Sequence, residues 1–200
     1  NHLMVKIAFT HAMEEILLML FNDSRVDPTN SDNQFLISAV SLGISSVAKH
    51  LLADERVNPS AQNNAALKAA CANNNLVLVQ MLMNHPKIVI DDAVSNIFLV
   101  ACKASFNLPV IETLAKDPRL DIAVNNQRAL LSAVADGRYD LVLLLANDTR
   151  IDPSFNDNEA LKLALSRRKK YTGQKVYDVL IGHPRIFVTD EERIRFSTQF

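Results

Sequence analysis

Tryptophan is absent from the 200-residue chain, which also has only four glycines, three tyrosines and two cysteines. Tight hairpin turns favour glycine at their left-handed positions, so this scarcity points to helices over hairpins. Two cysteines do not make a disulfide scaffold. No apolar run exceeds six residues, the length of Ile16 to Phe21, whereas a membrane-spanning helix needs roughly 18 or more. Neither sign of charge dominates, with 21 Lys and Arg against 22 Asp and Glu. That balance excludes nucleic-acid binding by bulk positive charge, and equally an acidic solvating tail. Hydrophobic residues at 48% and charged residues at 22% are the proportions of a chain with a packed core.

What is present is a repeat. A tetrapeptide of basic, aliphatic, polar and Pro residues opens it: Arg25-Val26-Asp27-Pro28, then Arg56-Val57-Asn58-Pro59. It decays to Lys87-Ile88-Val89-Ile90 and Arg119-Leu120-Asp121-Ile122, returns as Arg150-Ile151-Asp152-Pro153, and fades at Arg185-Ile186-Phe187-Val188. The spacings are 31, 31, 32, 31 and 35 residues. Leu36, Leu67, Phe98, Leu130, Leu161 and Phe196 form a second column in the same register, and Ala39, Ala70, Ala101, Ala133 and Ala164 a third. Counting back by 31 places Val5 and Ala8 in these columns. The expected organisation is a single repeat domain over 1–200: a partial repeat at 1–24, complete repeats at about 25–55, 56–86, 87–118, 119–149 and 150–184, and a partial or capping repeat at 185–200. The incomplete repeats at both ends, and a first residue other than Met, read as a segment of a longer array.

Each repeat reads as two helices. In the second, Leu67, Ala70 and Cys71 share a stripe of a helix over 64–73, and Leu76, Val79 and Leu82 share one over 76–84. Polar pairs precede the first helices: Asp32-Asn33, Asn63-Asn64, Asn125-Asn126 and Asp157-Asn158. Their side chains suit the unsatisfied N–H groups of a helix start, so they are expected as N-caps. Pro86, Pro118 and Pro184 follow the second helices, where Pro prevents continuation. Helices of about ten residues are marginal alone, so packing on neighbours has to hold them.

The run from Asn63 to Met83 resembles the ankyrin-repeat family. Leu67, Ala70, Leu76, Val79 and Leu82 fall on the family's apolar positions, and Gly43 and Gly137 on its inter-helix Gly, which Asn74 replaces. The family's Thr-Pro and His are missing; Ile37, Lys68, Leu99, Leu131 and Lys162 fill the His column. The period is 31 where the family has 33, and the shortened segment, the family's β-hairpin finger, carries no Gly. The resemblance covers nearly the whole chain. It implies an all-α α-solenoid of stacked helix-turn-helix ankyrin-like repeats, with reduced or absent β-hairpin fingers and short Asp-Pro turns in their place.

Catalytic signatures are lacking. The five His show no metal-ligand spacing, and no nucleophile elbow, P-loop or dinucleotide fingerprint occurs. An enzyme, a metal or a cofactor is therefore not expected. Cys71 and Cys102 fall in a core column. His85 and His183 share the column of Asp54, Asp117 and Asp148 at the end of the second helix, where a polar side chain meets the last carbonyls. The basic column Arg25, Arg56, Lys87, Arg119, Arg150 and Arg185 is flanked by Asp two residues before and two after in several repeats. It is expected to be a self-neutralised ion-pair ladder. One basic run is not matched in this way: Arg167, Arg168, Lys169 and Lys170, in a stretch, 159–200, with nine basic and five acidic residues.

The resemblance implies a surface that binds another protein through a concave face made of the fingers and the exposed ends of the first helices. Carried onto this register, the finger positions include Asn30, Gln62, Asp92, Val124, Asn125 and Phe155. The first-helix positions include Ser41, Asn73, Lys103, Asp136 and Arg167, with Arg168 beside it. Phe155 is the expected anchor, since aromatic residues dominate interface energies. The expected function is a monomeric protein-interaction module, intracellular and cytoplasmic, acting as the targeting region of a larger protein or as a host-directed effector in the host cytosol. Two other readings stay open: a substrate-recruiting or regulatory arm of an enzyme whose catalytic domain lies outside this chain, and an adaptor for anionic lipid or nucleic acid acting through Arg167, Arg168, Lys169 and Lys170.

Overall fold

The computed structural model describes residues 2–103, 108–167 and 171–189; among them it holds twelve helices and no strand. In chain order these are α1 (His2–Thr10), α2 (Glu14–Phe21), α3 (Asn30–Ser41), α4 (Ser45–Leu52), α5 (Ala61–Ala72) and α6 (Leu76–Met83). They continue with α7 (Asp92–Lys103), α8 (Leu108–Ala115), α9 (Val124–Asp136), α10 (Tyr139–Asn147), α11 (Phe155–Ser166) and α12 (Tyr171–Ile181). The helix pair of the second repeat ends within one residue of its expected limits.

The chain forms two compact units, Asn1–Ile97 with Pro109–Asp117, and Phe98–Leu108 with Pro118–Phe200. Within the first, α1 packs on α2, α3 on α4 and α5 on α6, while α3 also packs on α5, and α2 and α6 on α4. Within the second, α9 packs on α10 and α11 on α12, with α9 against α11 and α10 against α12. Helices of equal rank thus meet in successive pairs, which is how helices this short become stable.

The columns read from the sequence are the cores of these units. Ala8, Ala39, Ala70, Ala101, Ala133 and Ala164 are buried, as are Val5, Leu36, Leu67, Phe98, Leu130 and Leu161. The aliphatic member of the tetrapeptide is buried in all six copies: Val26, Val57, Ile88, Leu120, Ile151 and Ile186. Pro28, Pro59 and Pro153 are buried as well. An aromatic cluster of Phe9, Phe21 and Phe35, with ring centroids 5.5–6.2 Å apart, closes the first pair onto the second.

The turn between the two helices of a pair demands a left-handed residue, and the sequence supplies Ala12 (φ 48°), Gly43 (φ 72°), Asn74 (φ 52°) and Gly137 (φ 66°). Asn74 stands in for Gly as expected, whereas Ala12 pays the full steric cost of its Cβ. Exchange at these sites should therefore move stability in opposite directions. Ala12→Gly is expected to raise it by about 1 kcal/mol and Gly43→Ala to lower it by about as much, read from urea unfolding midpoints. A Cβ at Gly43 meets nothing closer than Asn75 Nδ2 at 3.8 Å, so the loss there is conformational. Equal signs for the two substitutions would refute the assignment.

The expectation of N-caps is corrected. Ser31-Asp32-Asn33, Gln62-Asn63-Asn64 and Asn156-Asp157-Asn158 are runs of three left-handed residues, with φ from 52° to 61°. Each run makes one left-handed turn, closed by Asn33 N–H to Thr29 O (3.0 Å), Asn64 N–H to Ser60 O (3.1 Å) and Asn158 N–H to Ser154 O (3.0 Å). Gln127 (φ 61°) closes the corresponding turn onto Ala123 O at 3.1 Å. The right-handed helix begins only afterwards. Asn and Asp favour both a helix cap and the left-handed region, because their short polar side chains bond locally in either; the sequence signal was real and its conformation was the other one. The third repeat differs. No left-handed residue is found among the described residues of α7. Asp91 caps that helix instead, accepting from Ala93 N–H at 3.0 Å and Val94 N–H at 3.3 Å.

Candidate functional site

The left-handed turns are set up by the tetrapeptide that precedes them. Its polar member folds back on itself: Asp27, Asn58, Asp121 and Asp152 each accept, through Oδ1, the N–H two residues ahead at 2.9–3.0 Å. The acidic residues two after the basic column thus make local turns. The ion pairs come from those two before it. Arg25, Arg56 and Arg150 grip Asp23, Asp54 and Asp148 at 2.6–2.7 Å, and each Asp also takes the Arg backbone N–H. This grip, chiefly the guanidinium hydrogen bond, holds the Asp23 and Asp54 carboxyls down to about 2, and that of Asp148 below its ordinary value. The expected ladder is therefore a set of local pairs, each between residues two apart. Its links between repeats are cations on backbone carbonyls: Lys87 Nζ on Glu55 O, Arg150 on Leu120 O (3.1 Å), and Arg185 on Ala146 O (2.7 Å), Asp148 O (3.1 Å) and Ile151 O.

The last residue of each left-handed turn reaches across to the next tetrapeptide. Asn33 Oδ1 accepts Asn58 N–H (2.8 Å), and Gln127 Oε1 accepts Asp152 N–H (3.1 Å). Asn64 Nδ2 donates to Val89 O (3.2 Å), and Asn158 Nδ2 to Phe187 O (3.0 Å). Asn33 and Asn64 are buried. This clasp went unforeseen, although Asn33, Asn64 and Asn158 were visible as the second residues of their polar pairs.

The turns leave their first two side chains in solvent: Ser31 and Asp32, Gln62 and Asn63, Asn156 and Asp157 are all exposed. Of the expected binding residues, Asn30 is half-buried and accepts from Ser31 Oγ (3.0 Å), while Asp92, Ser41, Lys103 and Asp136 are exposed. Phe155 is 37% exposed, at the start of α11. Three others are exposed yet engaged. Gln62 Nε2 donates to Asp32 O (3.0 Å), Asn73 Nδ2 to Ser41 O (2.8 Å), and the Arg167 guanidinium to Ala135 O. These three side chains tie neighbouring pairs within a unit, a role that exposure in the sequence register did not reveal. The side chains of Val124 and Asn125, and all of Arg168, Lys169 and Lys170, lie outside the described residues.

Cys71 and Cys102 are buried as expected, and burial pushes both thiols up to about 12, so neither is a ready thiolate. Among the described residues no three His, Cys, Asp or Glu side chains are grouped as metal ligands. No helix among the described residues is long and apolar enough to cross a membrane. The second unit carries two open hollows that share Tyr139. One, of about 400 Å³, is lined by Tyr139, Lys175, Asp178 and Val179; the Lys175 ammonium lies 5.9 Å from the Tyr139 ring centroid. The other, of about 360 Å³, is lined by residues from Leu108 and from Gly137 to Leu141.

Comparison with known proteins returns no matching family, no matching curated protein and no matching solved structure.

Proposed function

We propose that this chain is a protein-interaction module, an ankyrin-like helical-repeat solenoid whose left-handed turns carry the partner-binding surface. One observation carries the reading. Three non-glycine residues in succession hold left-handed backbone at the same place in the repeat, each at a cost of roughly 1–2 kcal/mol. Strain of this kind persists where surrounding structure over-determines it, and it concentrates at functional positions. Here it points pairs of polar side chains into solvent that differ from repeat to repeat: Ser31 and Asp32, Gln62 and Asn63, Asn156 and Asp157. Clasped from behind by Asn33, Asn64 and Asn158, these pairs are pre-organised, which reduces the ordering cost of binding. Targeting within a larger protein, or of a host protein from the host cytosol, is the setting such a module fits.

Site-specific crosslinking tests it. A photoreactive residue at Ser31 or Asn63 is expected to trap the same partner, whereas one at Lys49 or Gln80, on the exposed faces of α4 and α6, traps none. Capture from α4 and α6 alone would overturn the proposal. Phe155 supplies the affinity test in the second unit. Phe155→Ala is expected to weaken binding by about 1–2 kcal/mol, as for interface anchors, and to leave the melting temperature nearly unchanged because the ring is already partly solvated. A large drop in melting temperature with intact affinity would mark the ring as a packing residue.

A further inference from the structure

The acceptor column at the end of each second helix holds Asp23, Asp54, Asp117 and Asp148 in four repeats, but His85 and His183 in the other two. At Asp23, Asp54 and Asp148 a carboxylate oxygen takes the N–H of the basic residue two places on, at 2.9–3.0 Å. The imidazoles occupy the same place with a ring nitrogen. Lys87 N–H donates to His85 Nδ1 and Arg185 N–H to His183 Nδ1, both at 3.2 Å. A ring nitrogen that accepts carries no proton, so each ring is neutral and protonated on Nε2. The opposite edge is then a donor. His85 Nε2–H bonds Leu52 O, the last residue of α4, at 3.1 Å, and His183 bonds Ala146 O near the end of α10. Each imidazole bridges its own turn to the preceding second helix, which a carboxylate, having no donor, cannot do.

We propose that His183 is an acid-labile clasp, holding its turn to the preceding second helix only while the ring is neutral and releasing it as the ring takes a proton. The protonated ring presents N–H on both nitrogens, so Nδ1–H would face the N–H of Arg185, donor against donor. The charged residues on the elements around His183 are Arg185 on its own turn, Lys175 and Asp178 on α12, Asp140 on α10, and Asp148 and Arg150, which pair with each other. Burial, then the Arg185 charge, holds the His183 imidazole below its ordinary value. A folded-state value below the unfolded one of about 6.5 means a contribution fully present above that pH, which is lost as pH falls through the folded-state value. Asp23 and Asp54, at about 2, hold their turns throughout that range.

The molecule carries its own controls. Amide hydrogen exchange on the whole chain, corrected for intrinsic rates, should show the Arg185 amide losing protection about tenfold or more between roughly pH 7.5 and 5. The Arg25, Arg56 and Arg150 amides should stay within about twofold. In H183D, which installs the carboxylate of the Asp repeats, the acid loss should disappear. Nitrogen chemical shifts of the His183 ring near neutral pH should report the Nε2–H tautomer. A parallel loss at all four amides, an Nδ1–H tautomer, or an undiminished acid loss in the variant would each overturn the proposal; should the variant not fold, the wild-type amides and ring shifts decide it.

Discussion

Ala70→Asp is expected to abolish cooperative folding of the first unit. Ala70 is fully buried in α5, in the column that holds only Ala in every described repeat. Alanine there lets α3 and α5 approach, so an aspartate brings both excess volume and a charge. Leu67 and Cys71, beside it on the same stripe, offer it no charge to pair with. An unpaired buried charge costs about 3–5 kcal/mol or more, a large part of the roughly 5–15 kcal/mol that stabilises an ordinary domain. The check is circular dichroism against temperature: a broad, non-cooperative loss of helix is expected. A sharp transition at the wild-type temperature would mean that this column does not lie between the helices.

Arg185→Met is expected to cost about 2–3 kcal/mol, as loss of charge-assisted hydrogen bonds to carbonyls left without that donor. Arg185 bonds Ala146 O, Asp148 O and Ile151 O, three backbone carbonyls 34 to 39 residues back in the chain. Arg25→Met is the comparison. The Arg25–Asp23 pair is solvent-exposed and local, two residues apart, and exposed pairs add little; its removal should leave the unfolding midpoint within error. Equal losses at the two sites would show that the basic column acts through its ion pairs and not through the links between repeats. Chemical denaturation of both variants at pH 7 separates the two cases.

The contrast between these two arginines shows how far a sequence reading carries. Arg25 and Arg185 occupy one column, and membership of that column does not say what either one bonds. The partner of Arg25 lies two residues away, within reach of any reading of local charge. The partners of Arg185 lie 34 to 39 residues away. They are backbone carbonyls, which carry no residue-type signal at all. The same division explains the candidate binding residues. Ser41, Asp92, Lys103 and Asp136 were expected at the surface and are exposed there, whereas Gln62, Asn73 and Arg167 use their donors on carbonyls of the neighbouring pair.

By itself the sequence determined the period, the helix pairs, the buried columns, and the left-handed residue at Gly43, Asn74 and Gly137. Each depends on apolar spacing or on a backbone preference that acts within a few residues. Only the tertiary structure decided that the polar pairs make left-handed turns and do not cap helices, since Asn and Asp suit both and the choice falls to what the turn must meet. It also decided that Asn33, Asn64, Gln127 and Asn158 reach forward to the next tetrapeptide. Lastly it gave His85 and His183 two carbonyls to bridge to, because a hydrogen bond to a distant backbone atom exists only once the packed helices have brought that atom within reach.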